Sequence, residues 1–214
     1  MLFPTLEFGI FFLIVFTVSW SLRWTPGFRK LALLAASYVF YGWWDWRFTG
    51  LLFASTLIAY LAGLGLERAE RAALRKWIVG VAVAGSLVIL GFFKYYGFFL
   101  TSLAALLDSF GLARDLPFME IILPVGISFF TFQSISYVVD VYRGDVRAER
   151  SLADVMLYIS FFPQLVAGPI VRAADFLPQL HETPRLSREH LGVGTVLILS
   201  GLIKKMVIAN YLAT

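Results

Sequence analysis

The sequence predicts an all-α, polytopic transmembrane helical protein with a broken or re-entrant helix. Three observations predict it. The 214 residues are 59% hydrophobic and only 15% charged, whereas soluble domains carry about a quarter charged residues. Mean hydropathy is +0.79, and the apolar residues gather in long charge-poor runs separated by short polar stretches, the pattern of helices that cross a bilayer. Finally, Tyr158–Arg172, YISFFPQLVAGPIVR, is apolar enough for a membrane core yet carries Pro163, Gly168 and Pro169 beside Gln164. A proline lacks an N–H and clashes with the preceding helical turn, so no straight helix runs through this stretch. The residues before the prolines, Phe162 and Gly168, are pushed out of helical geometry. In a bilayer, such backbone survives only where other protein or a water-filled cavity satisfies its polar groups. The stretch is therefore either a kinked packing helix or a break that lines a cavity.

Residues 1–214 are expected to form part of a single transmembrane domain. The opening, MLFPTLEF, lacks the basic start of a signal peptide. Phe8–Leu22 is the first apolar run, with Trp20, Arg23 and Trp24 marking its end and an expected turn at Thr25-Pro26-Gly27. Leu31–Trp44 is the second, closed by the Trp43–Arg47 cluster, which reads as an interfacial girdle. Phe48–Leu66 is uncharged and of spanning length. Glu67–Lys76, ERAERAALRK, reads as a charged helical connector with acid–base pairs at helical spacing. Trp77–Leu107 exceeds one bilayer crossing. A span to about Phe93 is expected, with Lys94–Gly97 at the interface and Phe98–Leu107 lying on or re-entering the membrane. Asp108–Glu120 reads as a loop.

Ile121–Val139 is the fifth run, with Pro124 and Gly126 loosening its start. Ser128, Thr131, Gln133, Ser134 and Ser136 are many polar groups for one span, and they require neighbouring helices or a cavity. After the broken segment, in which Ser151 and Asp154 resemble a capping box, Phe176–His190 is expected to be a polar loop. Leu191–Ile203 is the last apolar run before Lys204-Lys205. The chain stops inside apolar sequence and reads as truncated.

Lysine and arginine set the orientation. The first connector holds Arg23, Arg29 and Lys30 and the third holds Arg68, Arg71, Arg75 and Lys76, whereas the second has only Arg47 and the fourth only Arg114. Basic connectors stay in the cytoplasm, which places the N-terminus outside and the fifth span running inward. Arg143, Arg147 and Arg150 then lie inside. Arg172, Arg185 and Arg188 suggest the same of the following loop, so Ser151–Arg172 is expected to enter and return, the alternative being that it spans and the second basic loop lies outside.

The net charge of +4 follows this pattern and does not indicate nucleic acid. With no cysteine, disulfides, thiolate metal ligands, a cysteine nucleophile and palmitoylation within the chain are excluded. No catalytic constellation is visible. His181 and His190 fall in or beside the expected polar loop, no HExxH, GxSxG, Walker or Rossmann pattern occurs, and no metal site is expected. Broken helices at membrane depth also mark transporters, so a polytopic transporter or channel is the alternative reading.

Leu123–Gly144 (LPVGISFFTFQSISYVVDVYRG), YISFFPQLVAGPIVR and SGLIKKMVIANYLA, with VFYGWWDWRF and FFKYYGFF before them, resemble the membrane-bound O-acyltransferase family in its alginate O-acetyltransferase-like bacterial branch. The resemblance covers the whole chain and corresponds to the family's N-terminal part. It implies a multi-span protein of the bacterial inner membrane. A chamber there receives an acyl group from a thioester donor, acetyl-CoA or another, as co-substrate, with no bound cofactor. The acyl group passes to hydroxyls of an extracytoplasmic polysaccharide or envelope polymer, or through periplasmic acetyltransferase partner proteins. The family's catalytic histidine sits in a Trp-His motif that does not occur before Thr214, so no catalytic residue is carried over. Gln133, Gln164 and Pro169 are the candidate chamber-lining residues, and this fragment alone is expected to be inactive.

Overall fold

A computed structural model describes residues 5–110, 122–166, 168–184, 187–209 and 212. The described residues form helices and no strand: α1 (Leu6–Ser21), α2 (Pro26–Asp45), a 3-10 turn (Trp46–Phe48), α3 (Thr49–Arg68), α4 (Ala72–Ser109), α5 (Ile127–Arg143), α6 (Leu152–Ser160), α7 (Phe162–Leu165), α8 (Ala173–His181) and α9 (Arg188–Ile203), which ends in a π-helical stretch, Lys204–Ala209. Three stretches, Pro26–Arg68, Ala72–Ser109 and Arg188–Ala209, are long and apolar enough to cross a bilayer. The chain is a membrane protein, as its hydropathy predicts. Its contacts divide it into two compact units, Met1–Leu33 with Gln179–Thr214, and Leu34–Pro178.

In the first unit, Thr5 caps α1 by accepting the Phe8 amide at 3.3 Å. Phe8, Phe12, Phe16 and Trp20 recur every four residues, and their rings run along one side of the helix at 5.9–6.3 Å. No residue of α1 or α9 is buried. Arg29 is buried and donates to the carbonyls of Leu180 and Glu182, at 3.4 and 3.2 Å. It satisfies backbone acceptors at the end of α8 that helix hydrogen bonding leaves free.

The second unit is a packed bundle. On α3, Leu52, Ser55, Thr56, Ala59, Ala62, Gly63 and Leu66 are buried. They recur three and four residues apart, so they form one face, and most are small enough to let a neighbouring backbone approach. That face packs most extensively on α5, whose Ile127, Phe130, Thr131, Gln133, Ser134, Tyr137, Val138, Asp140 and Val141 are buried. Helix α4 packs on both, through a stripe of Ala82, Ser86 and Leu90. At one end of the bundle, Arg75 reaches back from α4 to the carbonyls of Leu66 (2.6 Å) and Tyr142 (2.9 Å). Arg150 meets Glu67 at 3.6 Å at the same end. The α3–α4 and α5–α6 connectors therefore share one end, as their common basic character predicts.

Several expected boundaries shift. The first turn lies at residues 22–25, and Pro26 opens α2, where a missing N–H costs nothing and its fixed φ suits a helix start. The charged connector is a corner, because Ala69 and Arg71 are extended (ψ 112° and 126°) and Arg75 spends its guanidinium on backbone rather than on helical ion pairs. The expected interruption near Lys94 is absent, and α4 runs unbroken for 38 residues, about 57 Å. Its sequence has no proline, and Gly97 alone costs a helix only about 1 kcal/mol. Phe93 meets Phe48 edge-on at 6.0 Å beside the start of α3, so residues 94–109 run on past that end. Asp108 and Ser109 still belong to α4, and the rest of the expected loop, from residue 111 to 120, lies outside the described residues, as does Ile121.

The expected polar loop after Phe176 is partly helix. In α8, Ala173, Leu177 and Leu180 are buried on one face while Pro178 lies on the exposed side. There its missing N–H removes a single hydrogen bond, which burial of that face outweighs.

Candidate functional site

The site is assembled around the break after α6. Ser151 caps α6, its Oγ accepting from the Asp154 amide at 3.3 Å, and Glu149 accepts from the Ser151 amide at 3.1 Å. The Glu149 amide in turn donates to the Tyr137 hydroxyl on α5 at 2.9 Å. The helix ends at Ser160 because Phe161 leaves helical geometry (ψ 111°). The break thus falls one residue earlier than Phe162, the position expected from the sequence. Pro163 sits in the first turn of α7, where proline is tolerated.

In a continuous helix the Phe162 amide would donate to the Tyr158 carbonyl four residues back. Here both groups find side chains instead. The Phe162 amide donates to Ser37 Oγ on α2 at 3.2 Å, and Gln164 Nε2 donates to the Tyr158 carbonyl at 3.0 Å. All these groups are buried, so the exchange removes two orphans that would each cost about 1–3 kcal/mol. Gln164 faces protein, as expected of an amide in an apolar stretch.

The chain then reverses. The Gly168 amide closes on the Gln164 carbonyl at 3.0 Å, and a Cβ on Gly168 would stand 2.5 Å from Gln164 Cα. Gly126, at φ 74° ahead of α5, lies so close that an added Cβ would stand 2.9 Å from the Leu165 carbonyl oxygen. Only glycine fits at either place. On the return, the Val171 carbonyl accepts from Tyr158 Oη at 2.9 Å and from Gln133 Nε2 at 3.2 Å. A straight helix would separate residues 158 and 171 by about 20 Å, so Ser160–Arg172 folds back along its own path.

Buried polar groups, its polar seam, accompany this hairpin in the same unit. Thr131 Oγ1, Gln133 Oε1, Ser134 Oγ, Asp140 Oδ2, Ser160 Oγ and the hydroxyls of Tyr38 and Tyr41 are buried without a protein partner among the described residues. Asp140 is 5% exposed, with Arg172 and Arg143 as its cationic neighbours. The seam has spare hydrogen-bonding capacity for water or for a polar substrate.

Gln133 and Gln164, both candidates from the sequence, join this arrangement. Pro169 does not, lying exposed on the stretch that leads to Val171. Sequence reading missed Ser37, Tyr158 and Asp140. A lone serine in the run LLAASYVF carries no signal for Ser37, whereas Tyr158 opens the broken stretch itself. His181 closes α8 and His190 lies in the first turn of α9, its amide capped by Ser187 Oγ at 3.0 Å. Both are exposed and belong to the first unit.

Known proteins resemble this chain over most of its length. The chain is 43% identical over 192 residues to a protein of Azotobacter vinelandii named as a probable alginate O-acetylase, matching 87% of this chain and 37% of that one. It is also 43% identical over 192 residues to the protein of that name from Pseudomonas aeruginosa, matching 87% and 36%. With a peptidoglycan O-acetyltransferase of Helicobacter pylori it is 31% identical over 212 residues, 86% of this chain and 39% of that one. No family model matches, and no solved structure does. The class is that of membrane proteins related to bacterial O-acetyltransferases. Within it, the chain is similar over most of its length to the alginate O-acetylases, which are membrane-bound O-acyltransferases. It spans little more than a third of the length of these relatives.

Proposed function

We propose that the chain forms part of a membrane O-acyltransferase that moves an acyl group, acetyl in the first instance, from a cytoplasmic thioester donor to hydroxyls of an extracytoplasmic polysaccharide or envelope polymer. The buried hairpin seated on Gln133 and Gln164 carries this reading. It is a preorganised wall with unspent hydrogen-bonding groups, where a donor carbonyl or acceptor hydroxyl finds partners away from bulk water. The names of the relatives speak for acyl transfer rather than transport.

The residues here bind and orient. The hairpin fixes the amides of Gln133 and Gln164, the seam offers hydroxyls and the Asp140 carboxyl, and neither holds a histidine, the side chain that most often takes a proton from an acceptor hydroxyl at neutral pH. The chain would act from a bacterial inner membrane, with acetyl-CoA or another acyl thioester as co-substrate and periplasmic acetyltransferase proteins as partners for the acceptor side.

Disruption of the coding sequence in its source bacterium should lower the O-acetyl ester content of an extracytoplasmic polymer, with restoration on complementation. Unchanged ester content would overturn the proposal. The purified 214-residue chain should not turn over a thioester donor with a polymer acceptor. Turnover that His181→Ala abolishes would show that the exposed histidine acts after all.

A further inference from the structure

The ends of α3 and the α5–α6 connector enclose a cavity of about 540 Å³ lined by Tyr60, Leu64, Glu67, Arg68 and Arg150. We propose that this cavity seats the phosphate of an anionic phospholipid, a role separate from acyl transfer.

The depth is set by the sequence. Leu64 and Leu66 close an apolar run that extends from Phe48, and Glu67 and Arg68 are its first charges. The cavity straddles that change, the level at which lipid phosphates lie against a spanning helix. The walls are also built. Tyr60 Oη donates to the Arg150 carbonyl at 2.9 Å, holding the start of α6 against α3 so that the Arg150 side chain hangs over the opening. Two guanidiniums face one carboxylate there. Glu67 approaches Arg150 at only 3.6 Å, with the Arg150 side chain 84% exposed, so the pair leaves most of the guanidinium's donors unused. Guanidinium donors match phosphate oxygens in pairs. A smaller cavity of about 270 Å³, with Arg75 and Arg147 in its wall, shares Glu67 and extends the positive rim. Tyr60 and Leu64 supply the apolar side along which a glycerol backbone and acyl chain continue.

Phosphatidylglycerol titrated into phosphatidylcholine nanodiscs holding the protein tests this, read by lipid retention in native mass spectrometry and by the thermal midpoint. Arg68→Gln and Arg150→Gln should each weaken phosphatidylglycerol retention about fivefold. Glu67→Gln should strengthen it, because the competing carboxylate is gone. Arg71→Gln, on the same connector but outside the cavity, should leave it unchanged. Midpoints in pure phosphatidylcholine show that each variant folds, and Arg68→Gln carries the test should Arg150→Gln fail. Equal losses in Arg71→Gln and Arg68→Gln would reduce the effect to a general basic surface and overturn the proposal. So would weakened retention in Glu67→Gln, or displacement of the lipid by acetyl-coenzyme A, which would assign the cavity to a soluble phosphate. None of these readouts depends on acyl transfer, so the lipid site and the enzymatic reading stand or fall separately.

Discussion

Helices α5 and α9 are of nearly equal length, 17 and 16 residues, and both are predominantly apolar. Helix α5 buries a face of its unit that includes Thr131, Gln133, Ser134 and Asp140, while α9 buries none of its residues. Length and apolar content thus do not distinguish their surroundings. The distribution of polar groups does. On α5 they fall within the broad buried half of the helix, against which α3 and α4 pack and which the hairpin meets at Gln133. On α9, beyond the charged first turn, only Thr195 and Ser200 are polar, and Thr195 satisfies itself by donating to the Leu191 carbonyl at 2.8 Å. In a medium without water, a polar group needs a partner, so a polar face on an apolar helix implies protein against it.

The comparison breaks hardest at the two glycines beneath the hairpin. Gly168→Ala forces Cβ into the Gln164 backbone, and Gly126→Ala meets both the Leu165 carbonyl and a left-handed φ. Each should lower unfolding free energy by roughly 2–4 kcal/mol, seen as a fall in the thermal midpoint in nanodiscs. A midpoint unchanged by both would mean that the hairpin does not close as described.

Arg75 comes next. Arg75→Ala leaves the Leu66 and Tyr142 carbonyls without their charged donor and removes the guanidinium from over the Tyr142 ring, 5.6 Å from its centre. A loss of about 2–3 kcal/mol is expected, and Arg75→Lys should recover only part, since one ammonium lacks the planar fork that reaches both carbonyls. Full recovery by lysine would show that charge alone matters at this corner.

Gln164→Leu sharpens the comparison further, keeping the volume while leaving the Tyr158 carbonyl without a donor. The expected cost is about 1–3 kcal/mol, with Gln164→Glu more severe because it places a charge beside that carbonyl. Stability unchanged in Gln164→Leu would mean that another group, such as a bound water, already satisfies Tyr158.

The helices, the break and the inward role of Gln164 were legible because each rests on local chemistry: proline without an N–H, an amide in apolar sequence, lysine and arginine between runs. The shared end of the two basic connectors was legible for the same reason. Three features were not. Continuity of α4 past Lys94 depends on the absence of a breaker, which composition marks weakly. The helical turns of α8 around Pro178 depend on burial of Leu177 and Leu180, a tertiary effect that overrides a local one. The contribution of Ser37 depends on a partner 125 positions away, which no local pattern encodes. Within the seam, Gln133 and Gln164 stood out by residue type, while Tyr158 and Asp140 looked like ordinary ends of apolar runs.

The smallest effect is expected on α9. Val196 is 65% exposed and Leu197 66%, so Val196→Ala removes little buried surface and should shift stability by no more than about 0.5 kcal/mol. A polar change tests the same face differently. Val196→Ser keeps α9 helical, because a serine hydroxyl donates to the carbonyl four residues back, as Thr195 already does. A lipid-soluble photoreactive probe should label cysteines placed at Val196 and Leu197 but not at Thr131 or Tyr137 on α5. Native cysteines are absent, so the labelling reports only the introduced sites. If Val196→Ala cost as much as Gln164→Leu, or its cysteine escaped the probe, protein would cover α9, and an apolar helix without a polar face would no longer signal contact with lipid.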